Sequence, residues 1–340
     1  MIEGGSTMLK PLRRALLACA LALPLPMLAT TAARAAFPDR PVTLVTGYAP
    51  GGSTDIAARL LADRMQAHLP NGRIVVENRA GAAGVVASEW LKRQPADGYT
   101  IMLVESGSHG IAPNALIGGT RYRPVEDFSH IAVVGTGPLV LVMNNDFPVR
   151  TAAQFTELMR NAPAEKYAYA SSGAGTPNHL ATEMLASVLG TRWVHVAYRS
   201  GGQQVQAIHQ GQGQFGVAVL ASAAAQIRDG LVRGVALTGL ERFPTFPQIP
   251  TLDESGLPGF DLQTWNVILG PPDMPAELVA TLNRAITAAL AETMLRERLI
   301  TAGVSPWQQS NTPADARAFM VREVEKFRAV VARTGVQLQP

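Results

Sequence analysis

Between residues 42 and 104 the chain alternates short β-branched runs, at 42–46, 73–77 and 100–104, with stretches at 56–69 and 85–94 whose apolar residues recur at helical spacing. Such alternation selects a parallel sheet with crossover helices, because a strand that re-enters a sheet in the same direction must be carried back by a connection of that length. In the first helical stretch Ala57, Leu60, Leu61 and Met65 form one apolar face. A second series follows, with strand-like runs at 167–170, 193–196, 215–220 and 235–238 and helical patterns at 177–189 and 203–209. The chain therefore reads as two βαβαβ halves.

What joins the halves is also visible. The run "IAVVGTGPLVLVM", 131–143, is long enough to leave one sheet and enter another. A return run at 262–269 follows the Pro- and Gly-rich "FPTFPQIPTLDESGLPGF", and helical patterns at 276–302 and 312–334 are placed to pack back on the first half. The expected division is a leader at 1–35, a discontinuous first α/β lobe at 36–138 and 262–340, and a second α/β lobe at 139–261. Open parallel sheets take ligands beyond the carboxyl ends of their strands, so two such sheets facing each other make a cleft. With 340 residues, 47% of them hydrophobic, the chain can bury the core this needs.

From Met8 the sequence "MLKPLRRALLACALALPLPMLATTAARAAF" has a basic start, an apolar stretch broken by Pro24 and Pro26, and an Ala33-Arg34-Ala35 site, the pattern of a signal peptide. A bilayer span needs about 20 uninterrupted apolar residues, which this stretch does not supply. The expected location is the periplasm, with translation starting at Met1 or Met8. Cys19, the single cysteine, lies inside the leader in "LLAC"; this loosely matches a lipoprotein box, but the apolar run continues well beyond it. Once the leader is removed no thiol chemistry is left. The net charge of +3 includes the leader's basic residues, and no Lys/Arg patch is interleaved with aromatics, so nucleic acid is not an expected partner.

Each half places a loop of small residues where a strand feeds a helix: Gly51-Gly52-Ser53-Thr54 in the first and Ser171-Ser172-Gly173-Ala174-Gly175-Thr176 in the second. Free N–H groups and the positive end of the dipole at a helix N-terminus favour an anion, and glycine lets it approach the backbone. The alternative is that Ser53, Thr54 and Thr176 only cap their helices. Recurrence of the loop in both halves favours carboxylate binding. Asp55 in the first helical turn either complements the dipole or orders water or a ligand donor at the cleft mouth. Tyr198 in "YRSGG" is a candidate cleft wall, whereas Arg199 beside it either pairs with a carboxylate or stays solvated.

The loop "ESGSHG" at 105–110 offers Ser106, Ser108 and His109. A Ser beside a His in sequence rarely has triad geometry, and no G-x-S-x-G elbow occurs, which leaves a secreted hydrolase as the weaker reading. The six histidines show no H-E-x-x-H or similar ligand spacing, so no metal is expected. "SSGAGTPN" has Asn178 where a dinucleotide fingerprint needs its third glycine, and no P-loop lysine follows a glycine cluster.

Five ordered stretches, "FPDRPVTLVTGYAPGGSTDIAARLLA", "VENRAGAAGVVASEWLKRQPADGYT", "YASSGAGTPNHLATEML", "VAYRSGG" and "FPTFPQIPTLDESGLPGF", resemble the receptors of tripartite tricarboxylate transporters, the Bug family of periplasmic solute-binding proteins. The resemblance runs from about Phe37 to the C-terminus. It implies a two-lobed, Venus-flytrap (type II) binding protein, a monomer without cofactor or catalysis, that closes on a small organic carboxylate and delivers it to membrane transporter subunits. An orphan receptor serving sensing would look the same. The resemblance also implies that the loops spanning Tyr48 to Asp55 and Ser171 to Thr176 grip the ligand, partly through water. Tyr48, Gly51, Gly52, Ser53, Thr54, Asp55, Ser106, Ser171, Ser172, Gly173, Thr176 and Tyr198 are thus the candidate ligand-binding residues, with none catalytic and none for metal. The chain departs from the family at "GQFGVAVLASA", where Ala218 and Val219 stand at an aspartate position, and at Trp265-Asn266, where Tyr-Gly usually follows the tryptophan. Absence of that carboxylate favours a plain mono- or dicarboxylate over a cationic ligand.

Overall fold

The structure, a computed structural model, describes residues 37–338, so the leader reading and Cys19 lie outside the described residues. Strands β1 (Val42–Thr46), β2 (Ile74–Asn78) and β3 (Thr100–Glu105) are parallel, with β1 between the other two. Next come β4 (Ser129–Met143), β5 (Ala168–Ser171), β6 (Val194–Ala197), β7 (Phe215–Val219), β8 (Arg233–Leu237), β9 (Gln263–Gly270) and the two-residue β10 (Ser305–Pro306). The helices are α1 (Ser53–Met65), α2 (Val85–Leu91), α3 (Ala112–Ala115), α4 (Ala152–Asn161), α5 (Pro177–Leu189), α6 (Gly201–His209), α7 (Leu220–Arg228), α8 (Ala276–Ala291), α9 (Thr293–Thr301) and α10 (Pro313–Thr334).

The fold is a two-lobed α/β architecture built on a curled, mixed sheet. In the first lobe the strand order is β2, β1, β3, β9, β4; in the second, β8, β4, β7, β5, β6. The two long strands make the sheets mixed rather than simply parallel: β9 runs antiparallel to both β3 and β4, and β4 runs antiparallel to β7 and β8. The reason is topological. β4 and β9 are the crossings between lobes, so neither is returned by a helix as the crossover strands are. Residues Ser129 to Pro138 of β4 pair with β9, and Leu139 to Met143 pair with β7, so this one strand belongs to both sheets. Helices cover both faces, which is why strands such as β1 and β7 are buried almost throughout.

Three helices are absent from the sequence reading: the one-turn α3, α4 and α7. Thr151 caps α4 by accepting from the Gln154 N–H, and α4 buries Ala152, Phe155 and Met159. Helix α7 follows β7 with no intervening turn residue, so the apolar run from Phe215 to Ala225 hides the change from strand to helix. The pattern at 276–302 is broken at Glu292, whose backbone is extended at φ −69° and ψ 125°. Its carboxylate is held by Arg64 Nε at 2.6 Å and His68 Nε2 at 2.7 Å, partners from α1 and the turn after it. The tail packs on the first lobe through aromatic contacts: Trp265 of β9, 1% exposed, meets Phe319 of α10 edge-on at 5.9 Å.

Candidate ligand-binding cleft

The β1–α1 turn is tied down by Asp55. It accepts from the Gly51 N–H at 3.0 Å, from Asn78 Nδ2 at 2.9 Å and from Arg59 at 2.9–3.1 Å. Burial pushes its carboxyl upward in pKa, but the hydrogen bonds from Arg59, Gly51 and Asn78, with the Arg59 charge, hold it below the usual range. This clasp leaves Gly51 free to take a left-handed φ of +82°, so that Gly52 and the first residues of α1 present themselves to the other lobe.

The second loop has a brace of its own. Ser171 Oγ accepts from the Gly173 N–H at 3.0 Å and meets His195 Nε2 at 2.6 Å, while Gly175 N–H donates to His179 Nδ1 at 3.4 Å. His195 stacks between Tyr169 (4.9 Å, 12°) and His179 (4.5 Å, 21°). Burial holds both histidines neutral, down to about 4. Thr176 caps α5, accepting from the His179 N–H and donating to the Gly173 carbonyl at 2.7 Å.

Between the lobes lies a cavity of about 560 Å³. The first lobe contributes Tyr48, Ala83, Ala112 and Leu116, the second Ser172 to Gly175, Tyr198 and Arg199, and Leu338 of the tail closes one side. Leu338 is held there by backbone pairing with Ala115 and Ile117. The cavity wall is mostly apolar, with Arg199 its cationic side chain. Behind Tyr48 and Ser172 is a far smaller chamber of about 10 Å³, space for about one water.

Four helices start at that chamber. Gly52, Ser53 and Thr54 open α1, Asn178 lies in the first turn of α5, Gly201 opens α6 and Ser222 lies in the first turn of α7, and all of them line it. Four positive dipole ends converge there from both lobes, with the His179 N–H of α5 and the Gln203 N–H of α6 already capped by Thr176 and Ser200. The lobes meet here: Ser53 N–H donates to Ser222 Oγ at 2.9 Å, and the backbones of Gly51 and Gly202 approach so closely that a Cβ on Gly202 would stand 2.8 Å from the Gly51 carbonyl oxygen.

Of the sequence candidates, Tyr48, Gly52, Ser53, Thr54, Ser172, Gly173 and Tyr198 come together on the walls of these two spaces. Gly51, Asp55, Ser171 and Thr176 stand behind them and shape the loops. Ser106 is fully buried, its hydroxyl 3.0 Å from Thr264 Oγ1. The departure from the family pattern divides: Val219 lines the chamber, whereas Ala218 points into the core of the second lobe. Ser108 Oγ and His109 Nδ1 are 2.9 Å apart, but both are buried and desolvation takes the imidazole down to about 3. Neither lines the cavity.

Several wall residues escape the sequence reading. The stretch Ala80 to Ala83 lines the cavity, with Ala82 and Ala83 at φ +44° and +53°; its signal was the "AGAAG" glycine spacing. Glu105 ends β3 and lines the small chamber at 3% exposure. Thr54 Oγ1 donates to its Oε2 at 2.9 Å, and the Tyr48 hydroxyl lies beside it. Burial raises its pKa against the lowering effect of these two hydroxyls. The Tyr48 hydroxyl is itself pushed well up by burial and by Glu105, and donates to the Ala83 carbonyl at 3.0 Å.

Two lobes joined by two long strands, with helix ends and small-residue loops facing across a cleft, define a periplasmic binding protein of the two-lobed type. The structure is similar to that of the periplasmic binding protein BugD, with a TM-score of 0.84 and 30% identity over 89% of this chain and 100% of that one. It is similar also to an R. palustris protein solved with adipate (TM-score 0.84, 27% identity, 89% and 100% covered) and to MatC from Rhodopseudomonas palustris with bound malate (0.82, 29%, 87% and 100%). Among sequences, protein BugT of Bordetella pertussis (strain Tohama I) is 30% identical over 303 residues, 89% of this chain and 92% of that protein. The profile described as "Tripartite tricarboxylate transporter family receptor" matches residues 57–336. The chain belongs to that family, as its motifs led one to expect.

Proposed function

We propose that this protein captures a small organic carboxylate between its lobes in the periplasm and delivers it to the membrane subunits of a tripartite tricarboxylate-type transporter, returning the ligand unchanged. The observation that carries this reading is the convergence of four helix N-termini, from both lobes, on a chamber at the base of an apolar cavity. Backbone N–H groups and dipole ends favour an anion at such a place, with low desolvation cost because the donors are already oriented. The structures solved with adipate and malate support the same ligand class. Arg199 on the facing wall supports a second carboxylate, which makes a dicarboxylate the preferred ligand. In this reading Tyr48, Gly52 to Thr54, Ser172, Gly173 and Tyr198 touch the ligand, and Gly51, Asp55, Ser106, Ser171 and Thr176 hold those residues in place. The moving bodies are residues 36–138 with 262–340, and residues 139–261.

Mass spectrometry of molecules released on denaturing the purified protein, then calorimetry with adipate, malate and butyrate, tests the proposal. Binding of at least one dicarboxylate, recovered intact, is expected; failure of every carboxylate to bind, or its conversion to product, overturns it. For delivery, crosslinking of the liganded receptor to transporter membrane subunits is expected to exceed that of the unliganded one.

A further inference from the structure

Glu105 is a carboxyl group placed where an anion is to bind. It shares the small chamber with the first residues of α1 and with Ser172, Asn178 and Ser222 of the other lobe, and no lysine, arginine or histidine forms an ion pair with it among the described residues. Its neighbours are the hydroxyls of Tyr48 and Thr54, Asn266 directly across the β3–β9 ladder, and Tyr122 behind Tyr48. Arg59 is committed to Asp55, and Arg199 lines the larger cavity outside the chamber.

The hydrogen bonds define where protons sit. Thr54 donates to Oε2. Tyr48 has one hydroxyl proton, and it goes to the Ala83 carbonyl. Thr54 is thus the donor that Glu105 has, and an ionised carboxylate here would keep a buried charge with no cation to meet it. With Glu105 neutral, the Thr54 hydrogen bond is kept and no unpaired charge is buried. The four helix ends favour one negative charge at the chamber, but two anions sharing them without a cation repel each other.

Resting on the carboxylate reading above, we infer that Glu105 is the proton-bearing partner of the ligand site: the receptor holds its carboxylate ligand together with one proton on Glu105, and capture becomes proton-coupled only above the pH at which unliganded Glu105 ionises. The ligand carboxylate takes the helix ends, and Glu105 faces it across the chamber as a neutral group that adds no second negative charge.

The linkage has a definite sign. A bound anion favours the neutral form of Glu105, so below the pH at which unliganded Glu105 ionises the affinity is flat; above it the Kd rises about tenfold per pH unit, and each ligand brings one proton with it. The experiment titrates adipate at pH above about 6.5, where its own carboxylates are ionised, in buffers of different ionisation enthalpy, against wild type and Glu105→Gln. Glutamine keeps the shape and the neutral hydrogen bonds, so the variant is expected to bind adipate with a pH-independent Kd and no proton uptake. Carbon-13 NMR of glutamate-labelled wild type, with Glu105→Gln identifying the resonance, reads the group directly, and the neutral form is expected in the unliganded protein near neutral pH and in the adipate complex. An ionised Glu105 in either sample, or loss of adipate binding in Glu105→Gln, overturns the inference. Should wild type bind no carboxylate, the proposed function fails, and the unliganded NMR sample still decides the state of Glu105.

Discussion

Replacing Gly202 with alanine sets two effects of opposite sign against each other. Gly202 lies in the first turn of α6 with no left-handed φ, so alanine suits its backbone and stabilises the helix by about 0.5–1 kcal/mol. The new Cβ, however, stands 2.8 Å from the Gly51 oxygen and 3.4 Å from its carbonyl carbon where the lobes meet, and both are backbone atoms that cannot swing away. Ordinary contact begins at 3.4 Å, so the two lobes must part by roughly half an ångström, an overpacking that costs about 1–3 kcal/mol. Since each 1.4 kcal/mol is about tenfold, the Kd for a bound carboxylate is expected to rise about 5- to 150-fold while the unliganded protein resists urea slightly better. Calorimetry gives the first quantity, chemical denaturation without ligand the second, and small-angle scattering the ligand-induced change in radius of gyration. An unchanged Kd with an unchanged scattering response would refute closure at the Gly51–Gly202 contact. The same experiment on Gly52, whose Cβ would meet nothing nearer than 3.7 Å, is expected to show a smaller effect with alanine.

Ser222→Ala removes the acceptor for Ser53 N–H and is expected to weaken binding about 2- to 12-fold, the worth of one net hydrogen bond at about 0.5–1.5 kcal/mol, with little change in unliganded stability; calorimetry and denaturation compare the two. Arg199→Met keeps the side chain's apolar length and is expected to weaken adipate more than butyrate; equal losses would place the guanidinium outside the ligand's reach. His109 is held down to about 3, and His130, His179 and His195 to about 4, each by burial, so between their unfolded value near 6.5 and these values the unfolded chain binds more protons than the folded one. Stability measured by urea is therefore expected to fall as pH drops below about 6.5, with a slope of up to about 1.4 kcal/mol per pH unit for each histidine; a flat profile from pH 6.5 to 5 would show these rings to be solvated.

Periodicity recovered the strands and the longest helices because each pairs a clear apolar rhythm with a cap or a glycine break. Pro177 to Leu189, for instance, starts after a Thr-Pro cap and stops at Gly190 in the left-handed region. The same rhythm ran across Glu292, because what breaks the helix there is the tertiary grip of Arg64 and His68, more than 220 positions away. The two small-residue loops that line the cavity and its chamber were legible since glycine and hydroxyl clusters at strand-to-helix turns carry a local physical signature. Glu105 was not, for it looks like a polar residue ending a strand, and only the packing of Tyr48 and Thr54 from a different turn makes it a buried carboxyl in the small chamber. Arg199 stands in a short loop motif whose local sequence cannot say whether its side chain faces solvent or the opposite lobe. The helix ends of α6 and α7 escaped attention for a similar reason: that four N-termini point at one chamber is a property of the assembled lobes.

The position of β9 bears on the order in which the chain acquires its structure. Strand β9 fills the centre of the first sheet, between β3 and β4, yet comes from residues 263–270. Until those residues are available, β3 has an open edge along residues 102–105, and the helices α8 and α10 that cover β4 are missing. A nascent or translocating chain can therefore assemble β5 to β8 with their helices from contiguous sequence, while β1 to β3 wait, unpaired on one side, for a partner more than 150 residues downstream. Closing so long a loop is slow and places the completion of the first lobe last. The first lobe is therefore completed by the C-terminal part of the chain, whereas the second draws its strands from one contiguous stretch.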